Sequence, residues 1–148
     1  MNEIRTILFA TDFSESSDFS INHALLFARK FDARLHILHV VNEPVDLSGF
    51  YVPHISFEKL EEEIAEGARK MMDTFCRTHL QGFEQFTTSV ISGVPFNVIL
   101  EQAQELKADL IIMGTHGRTG LDHVLFGSTA EKVVRKSEIP VLTVRIEE

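Results

Sequence analysis

Five short apolar runs, set between stretches of helical periodicity, limit what this chain can fold into more than any other feature. Residues 4–10, 34–41, 86–91, 109–113 and 141–145 are brief, and most are apolar and rich in β-branched side chains. That is the pattern of strands buried on both faces, not of half-exposed alternating ones. Between them the apolar residues recur at helical spacing. Ile21, Ala24, Leu25 and Ala28 share one face. Leu60, Ile64, Ala68, Met71, Met72 and Phe75 form the stripe of a long helix over 56–80. Phe96, Ile99, Ala103 and Leu106 form that of a third helix, opened by Pro95, and a fourth is expected over 128–136. The order βαβαβαβαβ implies a parallel sheet with helices on both faces, because parallel neighbours need crossovers and these are right-handed.

The chain is long enough, at 148 residues, for one domain with a sizeable core, and residues 1–148 are read as a single domain. Its formal net charge of −8 argues against a nucleic-acid or anionic-membrane surface, both of which need a basic footprint. A small anionic ligand stays admissible, since a local site can oppose the global field. The lone cysteine, Cys76, allows no internal disulfide and suits a reducing compartment. No run approaches the length of a membrane helix, and the first apolar stretch is too short for a secretion signal, so a cytoplasmic protein is expected. Residues 42–55 carry Pro44, Gly49 and Pro53 without a period and read as a long loop. Gly67 inside the second helix costs about 1 kcal/mol against alanine, and local fraying is expected there.

The stretch after the fourth strand, GTHGRTGLDHVLFGST, concentrates the chemistry. Ligands of open α/β sheets bind beyond the carboxyl ends of the strands, where strand order reverses. Glycines there permit positive φ and close approach of backbone amides, successive amides form an anion nest, and a helix N-terminus adds unpaired N–H groups. Together these describe a phosphate cradle. It is not a P-loop, because no lysine follows Gly127, and no glycine-rich dinucleotide fingerprint follows the first strand, where Thr11-Asp12-Phe13 stands instead.

The spacing present is Gly114-x2-Gly117-x9-Gly127-Ser128. With Thr11-Asp12 after the first strand, Leu38-His39-Val40 ending the second and Ile139-Pro140-Val141-Leu142-Thr143-Val144 near the C-terminus, the whole chain resembles the ATP-binding subgroup of the universal stress protein family. The resemblance implies an open five-stranded parallel sheet of order 3-2-1-4-5. It implies that Asp12 and Val40 flank the nucleoside, that Met113 and Gly114 line the ribose side, and that His116 and Gly117 meet the phosphates. It further implies that Gly127, Ser128 and Thr129 hold the terminal phosphates of ATP, accompanied by Mg2+ or Mn2+. Ala10 departs from the proline of some ATP-binding members, a change of little consequence if that position acts through its backbone. The last strand, Val141 to Arg145, is implied to pair with its copy in a homodimer, an apolar edge being open to such pairing.

Plainer readings stand beside these. Ser128-x-x-Glu131 is a capping box, and Asp12 can serve only to cap the first helix. Glu131 brings negative charge near the proposed phosphates. Gly120 can be a turn glycine and Arg118 a solvated loop charge. His116 and His123 lack zinc spacing, and His36 and His39 read as structural. Cys76 reads as an inert thiol and Glu61-Glu62-Glu63 as a solvated helix face. Three functions remain in view. The chain is a nucleotide-dependent regulator with slow or no hydrolysis, a weak ATPase or autophosphorylating enzyme, or a dimeric interaction module that binds no nucleotide and meets other proteins.

Overall fold

The computed structural model describes residues 3–42, 57–116 and 126–146. The elements run β1 (Thr6–Ala10), α1 (Glu15–Phe31), β2 (Arg34–Asn42), α2 (Phe57–His79), β3 (Phe86–Gly93), α3 (Pro95–Glu105), β4 (Leu110–Gly114), α4 (Ser128–Lys136) and β5 (Val141–Val144). All pair in parallel, in the order β3-β2-β1-β4-β5, as the resemblance implied. Helices cover both faces. Ile21, Ala24 and Leu25 of α1 and Met72 and Phe75 of α2 pack with Ile7, Phe9, Leu35 and Ile37 on one side. Val98, Ile99 and Ala103 of α3 and Ala130 and Val133 of α4 pack with Leu8, Leu38 and Ile111 on the other. The central strands are therefore apolar at successive positions, since each of their faces meets a helix layer.

The element boundaries move for local reasons. The first strand starts at Thr6, not residue 4, because the Arg5 and Thr6 amides donate to the Asp109 carboxylate at 2.8 and 3.0 Å instead of entering a ladder. Ser14 caps α1, its hydroxyl accepting from the Ser17 amide. The fraying expected at Gly67 does not occur; α2 is continuous through it.

The stripe expected on α2 is only half buried. Ala68, Met72 and Phe75 join the core, but Ile64 and Met71 are 41% and 43% exposed. The helix seats its C-terminal half on the sheet, whereas Ile64 and Met71 line a cavity.

The strand order reverses at β1. The chain moves outward through β2 and β3, then returns to the far side of β1 with β4. In register, Ala10 lies between Leu38 of β2 and Met113 of β4, so their carboxyl ends open together into one crevice.

Candidate functional site

A cavity of about 790 Å3 occupies this crevice. Its size is that of a small-molecule site. The carboxyl ends of β1, β2 and β4 form its floor, and residues of α2, the start of α3 and the start of α4 contribute to its lining. Asp12, Val40, Met113, Gly114, His116, Gly127, Ser128 and Thr129 all line it. Gly117 lies outside the described residues, as do Gly120, Arg118, His123 and residues 43–55.

The turn after β1 holds Asp12 in place. Its Oδ1 accepts from the Ser14 amide at 3.0 Å and from the Ser17 hydroxyl at 3.1 Å. Asp12 thus does organise the entry to α1, though the cap itself is Ser14. Phe13 adopts φ 63°, a left-handed conformation uncommon for a bulky side chain. It is held there by contacts: its amide donates to the Thr11 hydroxyl at 3.0 Å, and its ring lies 4.3 Å from that of His39 and 5.8 Å from that of Phe75. His39 in turn donates from Nδ1 to the Thr11 carbonyl at 2.8 Å, which sets the tautomer, because a carbonyl can only accept. His39 is structural, as expected, and also lines the cavity. His36 is purely structural: buried, with Nδ1 2.6 Å from the Thr87 hydroxyl and Nε2 2.8 Å from that of Ser89. Burial holds its pKa below the ordinary histidine value.

Two glycines of the stretch, Gly114 and Gly127, are among the described residues, and neither has a positive φ. Gly114 is not left-handed; a Cβ there would collide with the Ser16 hydroxyl of α1. Its bareness lets helix and strand end approach each other. Gly127 sits at φ −69°, ψ 164°, a conformation open to any residue. Its amide donates to the Thr115 carbonyl at 2.6 Å, so that amide is already spent.

Gly127, not Ser128, is the N-cap of α4, and no side chain caps the helix. The capping box read from the sequence is therefore absent. Ser128 stands one position too far along, at the first helical residue, and Glu131 pairs with Arg135 one turn on. The first amides of α4 have no intrahelical acceptor, and Ser128, Thr129 and Ala130, which carry them, line the cavity. Beside the start of α4, to which Thr115 is tied through its carbonyl, the Thr115 hydroxyl lies 3.0 Å from His116 Nδ1.

Reading the sequence missed the α2 wall, formed by Glu63, Ile64, Gly67 and Met71, and the contribution of Pro95 and Ile99 from α3. A glycine set between apolar residues in a long helix was the available signal.

The universal stress protein family profile matches residues 3–145. The chain belongs to the universal stress protein family. It is 36% identical to the universal stress protein MJ0531 of Methanocaldococcus jannaschii over 97% of this chain and 84% of that one. It is equally identical to the universal stress protein A homolog 1 of Coxiella burnetii, over 96% of each. Among solved structures, MJ0577 of Methanocaldococcus jannaschii superposes with a TM-score of 0.84 at 28% identity, covering 98% of both chains. A universal stress protein in complex with cAMP superposes with a TM-score of 0.60 at 25% identity, covering 97% of this chain and 98% of that one.

Proposed function

We propose that this universal stress protein binds ATP in the crevice between β1 and β4 and acts as a nucleotide-dependent regulatory factor. The observation that carries the reading is the uncapped start of α4. A helix N-terminus with a partial positive charge, two hydroxyl residues and no side-chain cap among the described residues lines the same cavity as Asp12 and Val40. Phosphates would sit on Ser128 and Thr129, with His116 beside them, and the nucleoside between Asp12, Val40, Met113 and Gly114. Gly117 would extend the cradle. Mg2+ or Mn2+ would ride on the phosphates and neutralise their charge, since the described residues include no group of three or more metal-ligating side chains.

The described residues of the cavity offer no arginine finger, so turnover should be slow without a partner. A homodimer through β5 fits its place at the sheet edge. A cytoplasmic location fits the lack of any described helix long and apolar enough to cross a membrane.

A second ligand is favoured by one comparison. The relative solved with cAMP makes a cyclic mononucleotide the alternative occupant. Calorimetric titration of nucleotide-stripped protein with Mg-ATP, ADP and cAMP tests both. Saturable binding near one ATP per chain, weaker for ADP, supports the triphosphate cradle. Preference for cAMP moves the assignment to the cyclic ligand, and no binding by folded protein refutes the nucleotide reading.

A further inference from the structure

The fold does not account for the wall that α2 gives the cavity. Ile64, Gly67 and Met71 follow one another at helical spacing, so they share a face. Ile64 and Met71 give that face two apolar side chains, with Glu63 at its edge, and they are 41% and 43% exposed, while the neighbouring Ala68, Met72 and Phe75 are buried in the core. Between the two exposed side chains stands Gly67, in the interior of a 23-residue helix, where glycine is a poor helix former. Packing does not demand it. A Cβ at Gly114 would strike Ser16, but a Cβ at Gly67 would meet no described atom within 4 Å. Its conformation does not demand it either, since Gly67 is not among the positive-φ glycines. What the missing side chain leaves is space, and that space belongs to the cavity.

We propose that Ile64, Gly67 and Met71 form the slot for the heteroaromatic base of the bound nucleotide, with Gly67 bare so that the ring can lie against the helix. This deepens the nucleotide-binding reading and rests on it. A planar base has two apolar faces and little thickness, so it needs a gap one side chain deep with apolar flanks. Ile64 supplies a branched aliphatic surface, and Met71 a flexible, polarisable thioether suited to aromatic rings. The phosphate end of the cavity is polar and made by α4; the α2 face between Ile64 and Met71 is apolar. One cavity thus has a polar end at α4 and, between Ile64 and Met71, an apolar stretch of wall with Glu63 at its edge, matching the phosphates and the base of a nucleotide. The slot sets specificity for the base, and the α4 end sets affinity for phosphate.

The test compares ATP with inorganic tripolyphosphate, which has no base, on full-length wild type, Gly67→Leu and the double variant Ile64→Ala/Met71→Ala. Binding is read by calorimetry, with tripolyphosphate also run as a competitor of ATP. Gly67→Leu fills the slot and should weaken ATP at least tenfold while leaving tripolyphosphate within twofold. The double variant removes exposed side chains, keeps the fold, and should weaken ATP threefold to tenfold with tripolyphosphate again unchanged. Unchanged ATP affinity in both variants overturns the slot. Equal weakening of ATP and tripolyphosphate also overturns it, because α2 would then be acting on the whole site. If wild type binds neither ligand, the nucleotide-binding reading itself has failed, and the slot falls with it.

Discussion

Replacing Gly114 with alanine puts a methyl group where the Ser16 side chain already sits. The new Cβ would overlap the Ser16 hydroxyl, lie 3.1 Å from the Ser16 Cβ and 3.4 Å from its backbone carbon. Turning the hydroxyl away relieves the first contact only. The second still asks α1 and the end of β4 to separate by a few tenths of an ångström, and Ser16 is 4% exposed, with little room to yield. Overpacking of this kind costs about 1–3 kcal/mol. A value of about 2 kcal/mol lowers the melting temperature of a domain this size by about 4–8 °C. The contact between Ser16 and Gly114 also couples the two positions. The Ser16 hydroxyl is buried without a hydrogen-bond partner among the described residues, so Ser16→Ala alone should be neutral or slightly stabilising. In that background Gly114→Ala should cost about half as much, a coupling of about 1 kcal/mol between residues in contact. Urea denaturation of the four proteins measures it. Should Gly114→Ala cost the same in both backgrounds, or nothing in wild type, the glycine is not there for α1, and the ligand-facing explanation returns.

Two further outcomes follow from buried titratable groups. Burial lowers the His36 pKa, so between that value and the ordinary 6.5 the unfolded chain binds a proton that the folded one does not. The stability this neutral imidazole supports is complete above about pH 6.5 and is lost as the pH falls towards the folded pKa. Denaturation at pH 7.5 and 5.5 should show a larger acid loss for wild type than for His36→Gln, and parallel losses would refute it. Cys76 is pushed up to about 11, first by burial and then by the Asp73 carboxylate. Its thiolate fraction at pH 8 is then about a hundredfold below that of an ordinary thiol, and iodoacetamide labelling should slow in proportion. Labelling at the ordinary rate in native protein would contradict the burial.

Much of the fold was legible because strand and helix carry different periods, and because short apolar runs between amphipathic stretches admit few arrangements. Ile7, Phe9, Ile37, Ile111 and Ile112 are apolar on both strand faces and are wholly buried, which is the parallel-sheet signature seen directly. What periodicity conveys is which residues share a face, not what that face meets. Hence Ile64 and Met71 read as core and prove to line a cavity. Local spacing did pick out residues that line the cavity, at Gly114 and at Gly127-Ser128-Thr129. The site was illegible where it depends on a distant partner. Nothing near Gly114 in the chain announces Ser16, and nothing near Thr11 announces that His39 will hold its carbonyl. The Ser128 capping box failed by a single residue. A hydroxyl at the first helical position cannot do what the same hydroxyl does one position earlier, so the shift changes its chemistry entirely.

That one-residue shift leads to a test in which stability and binding must part. Gly127 caps α4 in an extended conformation that any residue can adopt, and no side chain serves the helix there. Asp in place of Gly127 would supply the missing acceptor and set a negative charge against the helix dipole. The gain is a few tenths of a kcal/mol from the cap and about 0.3–1 kcal/mol from the dipole. The melting temperature should rise by about 1–4 °C. If the start of α4 is where phosphates sit, the same carboxylate occupies their amides and repels their charge. Like charges about 4 Å apart interact by about 4 kcal/mol at an effective dielectric constant of 20, so ATP affinity should fall at least a hundredfold. Gly127→Asn separates the two effects: it caps without charge, and should stabilise α4 while weakening ATP far less. A Gly127→Asp protein that gains stability and still binds ATP as wild type does would place the phosphates elsewhere in the cavity. On the proposed reading, the cap that α4 lacks among the described residues is the phosphate of the ligand, and these two variants decide it.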